Sequence, residues 1–208
     1  MSSPQQTPQA PIFDSSKKFA VPILSGTAKR VTVRFPSDGE WCERARKQRS
    51  VRRFLGRGKS ESEEVEIAGL NVELFNRIRQ DDSELDEAEA GLVLSKLERA
   101  NIESCEREGD RYRISLRVAG GVTHHVVNMP TQRQIIAHER ASVRVLGGRR
   151  SQEIRGSLEP SGELYDEIAT PEAGEYAADR VPIVHKVSVV AEVLQQMSVE
   201  DEDAVPEA

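Results

Sequence analysis

Residues 102–127 read IESCEREGDRYRISLRVAGGVTHHVV, and the period of two in this stretch decides the fold class. Tyr112, Ile114, Leu116 and Val118 alternate strictly with Arg113, Ser115 and Arg117. That is the pattern of a strand with one face in a core and the other in water. Ile102–Glu106 and Val122–Val127 flank it as two further short strands. Gly109-Asp110 and Gly120-Gly121 stand at the junctions, and such pairs suit hairpin turns. Three antiparallel strands are therefore expected. His124 and His125 are neighbours in the last of them, so they face opposite sides of the sheet.

Working outward, Lys29–Phe35 alternates Val31, Val33 and Phe35 with Arg30, Thr32 and Arg34, which predicts another strand, stopped by Pro36. Ser37 and Glu40 then form a capping box. A helix is expected to run from there to about Leu55, with Trp41, Ala45, Val51 and Leu55 as its apolar stripe and Gly56 and Gly58 ending it. Ile67, Leu70, Leu74 and Ile78 recur at helical spacing, with Gly69 a weak point. Asp82 or Ser83 should cap the next helix, which runs to about Ala100 with Leu85, Ala88, Leu92 and Leu97 inward. Thr131 and Gln134 make a second capping box, for a helix over 132–140.

Segment 142–155 fits either a hairpin or a helix-end turn. Pro160-Ser161-Gly162 reads as a turn, 164–168 as a short ambiguous piece and 171–179 as a loop. Pro182 suits the first turn of a last helix, 182–198, whose stripe is Ile183, Val187, Val190, Leu194 and Met197. The expected fold class is α+β: helices packed on a small antiparallel sheet drawn from 29–35, 102–128 and, if it is a hairpin, 142–155.

Of the 208 residues, 31% are charged, 37% apolar and 4% aromatic, so a core forms but stays modest. Residues 1–18 are rich in Pro, Gln and Ser and read as a disordered leader; 199–208 read as an acidic, disordered tail. One α+β domain is expected between them, over 19–198. No apolar run approaches the ~18 residues of a membrane span, and the N-terminus lacks the pattern of a secretory signal. Two cysteines, Cys42 and Cys105, are too few for a disulfide scaffold, so a reducing cytoplasm is the expected compartment.

Candidate reactive centres are weak. The four histidines, His124, His125, His138 and His185, lack the spacing of a zinc site and read as ordinary structural residues. Cys42 sits at a helix start among basic residues, which would lower a thiol pKa, but no base partners it, and a buried thiol beside Trp41 is the plainer reading. Gly56-Arg57-Gly58-Lys59-Ser60 resembles the end of a phosphate-binding loop, yet the first Gly of that motif would fall at Arg53. No catalytic residue, cofactor or metal ligand is assigned, and the protein is expected not to be an enzyme.

Charge is the feature that stands out. Net charge is −6, but from Glu43 to Lys59 eight cations (Arg44, Arg46, Lys47, Arg49, Arg52, Arg53, Arg57, Lys59) face one acid. From Glu61 to Glu89 eleven acids face Arg77 and Arg79. The two blocks are about +7 and −9. Those eight cations are the expected interaction residues, supplying steering and register in protein–protein contact or self-association. The alternative is a nucleic-acid-binding module built on a basic helix over 43–59, although aromatic side chains for base stacking are nearly absent there.

Phe35–Lys59 (FPSDGEWCERARKQRSVRRFLGRGK), with Leu164-Tyr165-Asp166 and Val181-Pro182-Ile183-Val184-His185-Lys186, resembles small proteins of tailed bacteriophages and prophages that are encoded among tail and virion-assembly genes. That resemblance implies a non-catalytic part of the particle, or an assembly factor, acting through its surfaces in the cytoplasm or the virion. It carries no functional residue across.

Overall fold

A computed structural model describes residues 18–23, 29–56, 59–65, 69–119, 121–146, 151–154, 158–170 and 181–203. The fold is α+β, with six helices and nine strands among the described residues. The strands form three separate antiparallel sheets of two, four and three strands, where the sequence suggested one.

β1 (Lys18–Pro22) pairs with β2 (Arg30–Arg34), placing Val21 opposite Val31. Val21, Val31, Val33 and Phe35 are buried, as the alternation requires. α1 (Asp38–Lys47) starts on the expected capping box: Ser37 N–H donates to Glu40 Oε2 at 2.8 Å, and Glu40 N–H donates to Ser37 Oγ at 3.4 Å.

That helix does not reach Leu55. Gln48 turns extended (φ −86°, ψ 103°), and β3 (Arg49–Gly56) and β4 (Lys59–Val65) follow as an antiparallel pair. Gly56 therefore ends a strand of a hairpin, not a helix. The second neighbour of β3 explains the override: β9 (Ser151–Ile154) pairs along its other edge, and β8 (Val143–Leu146) pairs with β9. A ladder with a segment about a hundred residues away is a tertiary effect that local helical spacing does not contain. Of the two readings of 142–155, the antiparallel pairing of 143–146 with 151–154 agrees with the hairpin; 147–150 and 155 lie outside the described residues, and the sheet has the order β4-β3-β9-β8.

α2 (Leu70–Ile78) begins at Gly69, which has φ 87° and no side chain with which to cap. The Glu87 carboxylate takes over, accepting from the N–H groups of Asn71 at 3.0 Å and Val72 at 3.2 Å. Ile67 lies outside the described residues. α3 (Glu87–Glu98) is capped by Asp86, later than expected at Asp82 or Ser83. The buried stripe differs from the expected one as well. Ala90, Val93, Leu94 and Leu97 are buried, whereas Ala88 and Leu92 are exposed, contrary to expectation.

β5 (Asn101–Glu108), β6 (Arg111–Val118) and β7 (Gly121–Asn128) form the expected three strands in the order β5-β6-β7. Gly109 has φ 66° in the first turn, a conformation that favours glycine. Tyr112, Ile114 and Leu116 sit opposite Val127, His125 and Thr123, and all six are buried. α4 (Gln132–Ser142) carries the second capping box, with Thr131 N–H donating to Gln134 Oε1 at 2.9 Å.

α5 (Leu158–Ile168) includes Pro160-Ser161-Gly162, which the sequence placed in a turn. Pro160 falls in the first helical turn, where the missing N–H would have no intrahelical acceptor. Gly162 is needed for packing. A Cβ there would stand 2.9 Å from Ile183 Cδ1 and Cγ1. Gly162→Val is expected to lower stability by ~1–3 kcal/mol, read as a lower urea midpoint with an unchanged slope. A midpoint equal to or above that of the parent contradicts this close approach.

α6 (Ile183–Asp203) runs past the expected end at 198, so the first acids of the tail have helical backbone; 204–208 lie outside the described residues. Its start is tied to α1 by Ile183 N–H donating to Asp38 Oδ1 at 2.9 Å. Its burial is not confined to the expected stripe: Val184, His185, Lys186, Val189 and Val193 are buried as well. The reason is that α6 serves two cores. Ile183 and Val184 join the cluster of β1, β2, α1, α2 and α3, while Val189, Val190 and Val193 join that of β6, β7 and α5.

Candidate functional site

The eight candidate cations do not share one helix. Arg44, Arg46 and Lys47 lie in α1, Arg49, Arg52 and Arg53 in β3 and Lys59 in β4; Arg57 lies outside the described residues. The continuous basic helix on which the nucleic-acid alternative rested is therefore absent from residues 43–56.

The α1 cations are held by acids of the same chain. Arg44 donates to Asn71 Oδ1 at 3.0 and 3.1 Å, lies 3.8 Å from Glu98, and stands over the Trp41 ring. Arg46 pairs with Glu159 on α5. Lys47 reaches Glu73 at 2.8 Å and Glu43 at 3.2 Å. Arg77 closes a four-membered network, 2.5 Å from Glu43 and 2.6 Å from Glu73. Hydrogen bonds from Arg77 and then Lys47 hold the Glu43 carboxyl down to about 2. These groups are exposed, so the network sets geometry more than stability and weakens in salt.

In the four-stranded sheet the charge blocks become neighbouring strands. Arg53 faces Glu61 in the β3–β4 register, with Val51 opposite Glu63 and Ser50 opposite Glu64. The end of the basic block and the start of the acidic block are thus brought side by side as paired strands.

The buried polar groups form a second constellation that spacing did not reveal. His125 bonds Thr123 Oγ1 through Nε2 at 2.9 Å and the Tyr165 hydroxyl through Nδ1 at 2.8 Å. Lys186, buried on α6, donates to Asp166 Oδ1 at 2.6 Å and lies over the Tyr165 ring. Burial pushes the His125 imidazole down to about 4, helped by His185 and His124, and raises the Tyr165 hydroxyl. Burial also takes His185 to about 4, against the pull of its backbone bond with Leu97. The register was the missing signal: once Ile114 faces His125, the histidine must share the buried face. His124, on the other face, is exposed and bonds Ser115 at 2.9 Å.

His138 Nε2 meets Ser161 Oγ at 3.0 Å, but Ser161 is buried. Cys42 is buried too, and its thiol is pushed up by burial and then by Glu159, the reverse of what a basic helix start suggested. Burial raises Cys105 to about 11. Among the described residues no cluster of three or more His, Cys, Asp or Glu side chains could hold a metal, and no helix is long and apolar enough to cross a membrane. A cleft of about 280 Å3 opens between α1, α5 and α6, lined by Trp41, Leu158, Val184 and Val187 with Arg44 and Glu98 at its polar side.

No family model matches the chain, and no curated protein or solved structure matches it at a significant level.

Proposed function

We propose that this chain is a non-enzymatic structural or assembly protein that works by contact with other protein surfaces. One observation carries the reading: where its side chains are described, the cationic block is engaged by acids of the same chain, and Arg49, Arg52 and Arg53 lie in β3, which pairs with the acidic strand β4. Such an arrangement presents mixed charge for register between proteins, and not the one-sign face that a polyanion selects. The buried histidines and Lys186 belong to the support of the core. A tail or virion-assembly component of a tailed phage is the setting that the resemblance over 35–59, 164–166 and 181–186 implies.

The test is an anisotropy titration of labelled single- and double-stranded DNA and RNA at low ionic strength. The expected outcome is no saturable binding. Binding that falls steeply with added salt overturns the proposal in favour of a nucleic-acid module.

A further inference from the structure

Two cores meet through α6. Ile183 and Val184 pack with β1, β2, α1, α2 and α3, whereas Val189, Val190 and Val193 pack with β6, β7 and α5. His185 and Lys186 stand at the change-over, and both are buried. The seam between the cores is incompletely filled. The cleft of about 280 Å3 runs along it, lined by Trp41 from α1, Leu158 from α5 and Val184 and Val187 from α6. Two polar ties cross the seam: Ile183 N–H donates to Asp38 Oδ1 at 2.9 Å, and Arg46 pairs with Glu159.

His185 is the side chain that α6 sets into the first core. It is 1% exposed, meets Phe35 edge-on at 5.8 Å between ring centroids and bonds the Leu97 backbone in α3. His125, on β7 in the second core, bonds Tyr165 of α5 and is near enough to His185 for the two to repel when charged. The charged groups around the pair are committed elsewhere. Lys186 bonds Asp166 of α5 and lies over the Tyr165 ring, Asp38 of α1 holds Ile183, Glu98 of α3 stands beside Arg44, and His124 lies on the far face of β7. A proton on either imidazole therefore adds positive charge beside Lys186, in surroundings that solvate it poorly. Opening the seam lets water reach His185 and weakens its repulsion with His125.

We infer that this seam is an acid-operated hinge: as the buried imidazoles take up protons, the two cores part along the cleft before either one melts. The parts stay tethered. β3, which follows α1, pairs with β9, which precedes α5, and Arg99 and Ala100 join α3 directly to β5. The hinge is independent of which surfaces the protein docks, so it stands or falls apart from the protein-contact reading. Its sense follows from the burial of neutral rings: the seam is closed at neutral pH and opens as the pH falls.

Cys42 reports on the seam. It is buried in α1, and Glu159 of α5 acts on its thiol across the cleft side of the helix. The experiment follows its modification by 4,4′-dithiodipyridine in the full chain carrying Cys105→Ser, at pH 7.5 and pH 5, with rates divided by those of a small free thiol at each pH. His185 is held at about 4 when the seam is closed and returns to the ordinary 6.5 in water, so at pH 5 its protonation alone multiplies the open fraction ~30-fold. Labelling is expected to speed at least about tenfold, while amide exchange stays slow in β6 and β7 of one core and in α2 and α3 of the other. His185→Gln should hold the labelling rate within about threefold over the same range. A rate indifferent to pH, labelling that rises only in step with exchange in both cores, or an acceleration that survives His185→Gln overturns the hinge. If the Gln variant does not fold, the comparison of labelling with exchange in the chain that keeps His185 decides alone.

Discussion

Between pH 6.5 and 4 the protein is expected to lose a large share of its stability, and His125 and His185 are the cause. Both imidazoles are buried and held at about 4, below the ordinary 6.5. The unfolded chain therefore binds more protons across that window, so the stabilisation is whole above pH 6.5 and disappears as the pH falls toward 4. Each histidine accounts for ~3 kcal/mol, and the pair for about twice that, the repulsion from His185 being one of the causes that lower His125. Against a total of ~5–15 kcal/mol for a domain of ordinary stability, that is a large share.

A lower window belongs to Glu40, which Arg34, at 2.6 Å, holds at about 2; its contribution is lost as pH falls from 4.5 toward 2. The two windows can be told apart with His125→Gln. That variant should be less stable than the parent at pH 7.5, because Tyr165 and Thr123 lose their ring partner, but the gap should close by pH 4.5. Urea midpoints at both pH values measure it. Parallel curves would mean that His125 does not titrate with folding.

Replacing Trp41 is expected to give the second large effect. Its side chain is 1% exposed, meets Phe35 edge-on at 6.4 Å between ring centroids, and carries the Arg44 guanidinium over one face. Trp41→Ala should lower stability by ~3–5 kcal/mol through lost burial and the cavity left behind. Trp41→Phe should lose only ~1–2 kcal/mol, because the buried indole N–H has no partner among the described residues and its removal strands no acceptor. A loss in Trp41→Phe well above that range would show that the N–H is bonded. Because α1 is linked to α6 through Asp38 and Ile183, the Ala variant should also weaken the packing that joins the two cores.

What the sequence reveals divides by the range of the forces involved. The alternation at Tyr112–Val118 and the capping boxes at Ser37 and Thr131 are local patterns, and the structure follows them. Residues 49–56 have no such local answer. Val51 and Leu55 continue a stripe from Trp41 and Ala45, so helical spacing fits, yet β9 and β4 capture the segment from both sides. The later start of α3 has a similar origin: Glu87 is drawn to the bare N-terminus of α2, and Asp86 caps the helix. The charge blocks were visible in sequence, but their separation into helix and hairpin was not. His125, Tyr165 and Lys186 became a group only through the β6–β7 register and the packing of α5 on α6, neither of which spacing encodes.

Sedimentation velocity of the full chain at low salt, run with a labelled oligonucleotide in the same cell, puts the central claim to the most direct test. The account predicts a protein boundary that moves faster as concentration rises, while the label sediments as free nucleic acid. A boundary fixed at monomer mass that carries the label with it would contradict the account.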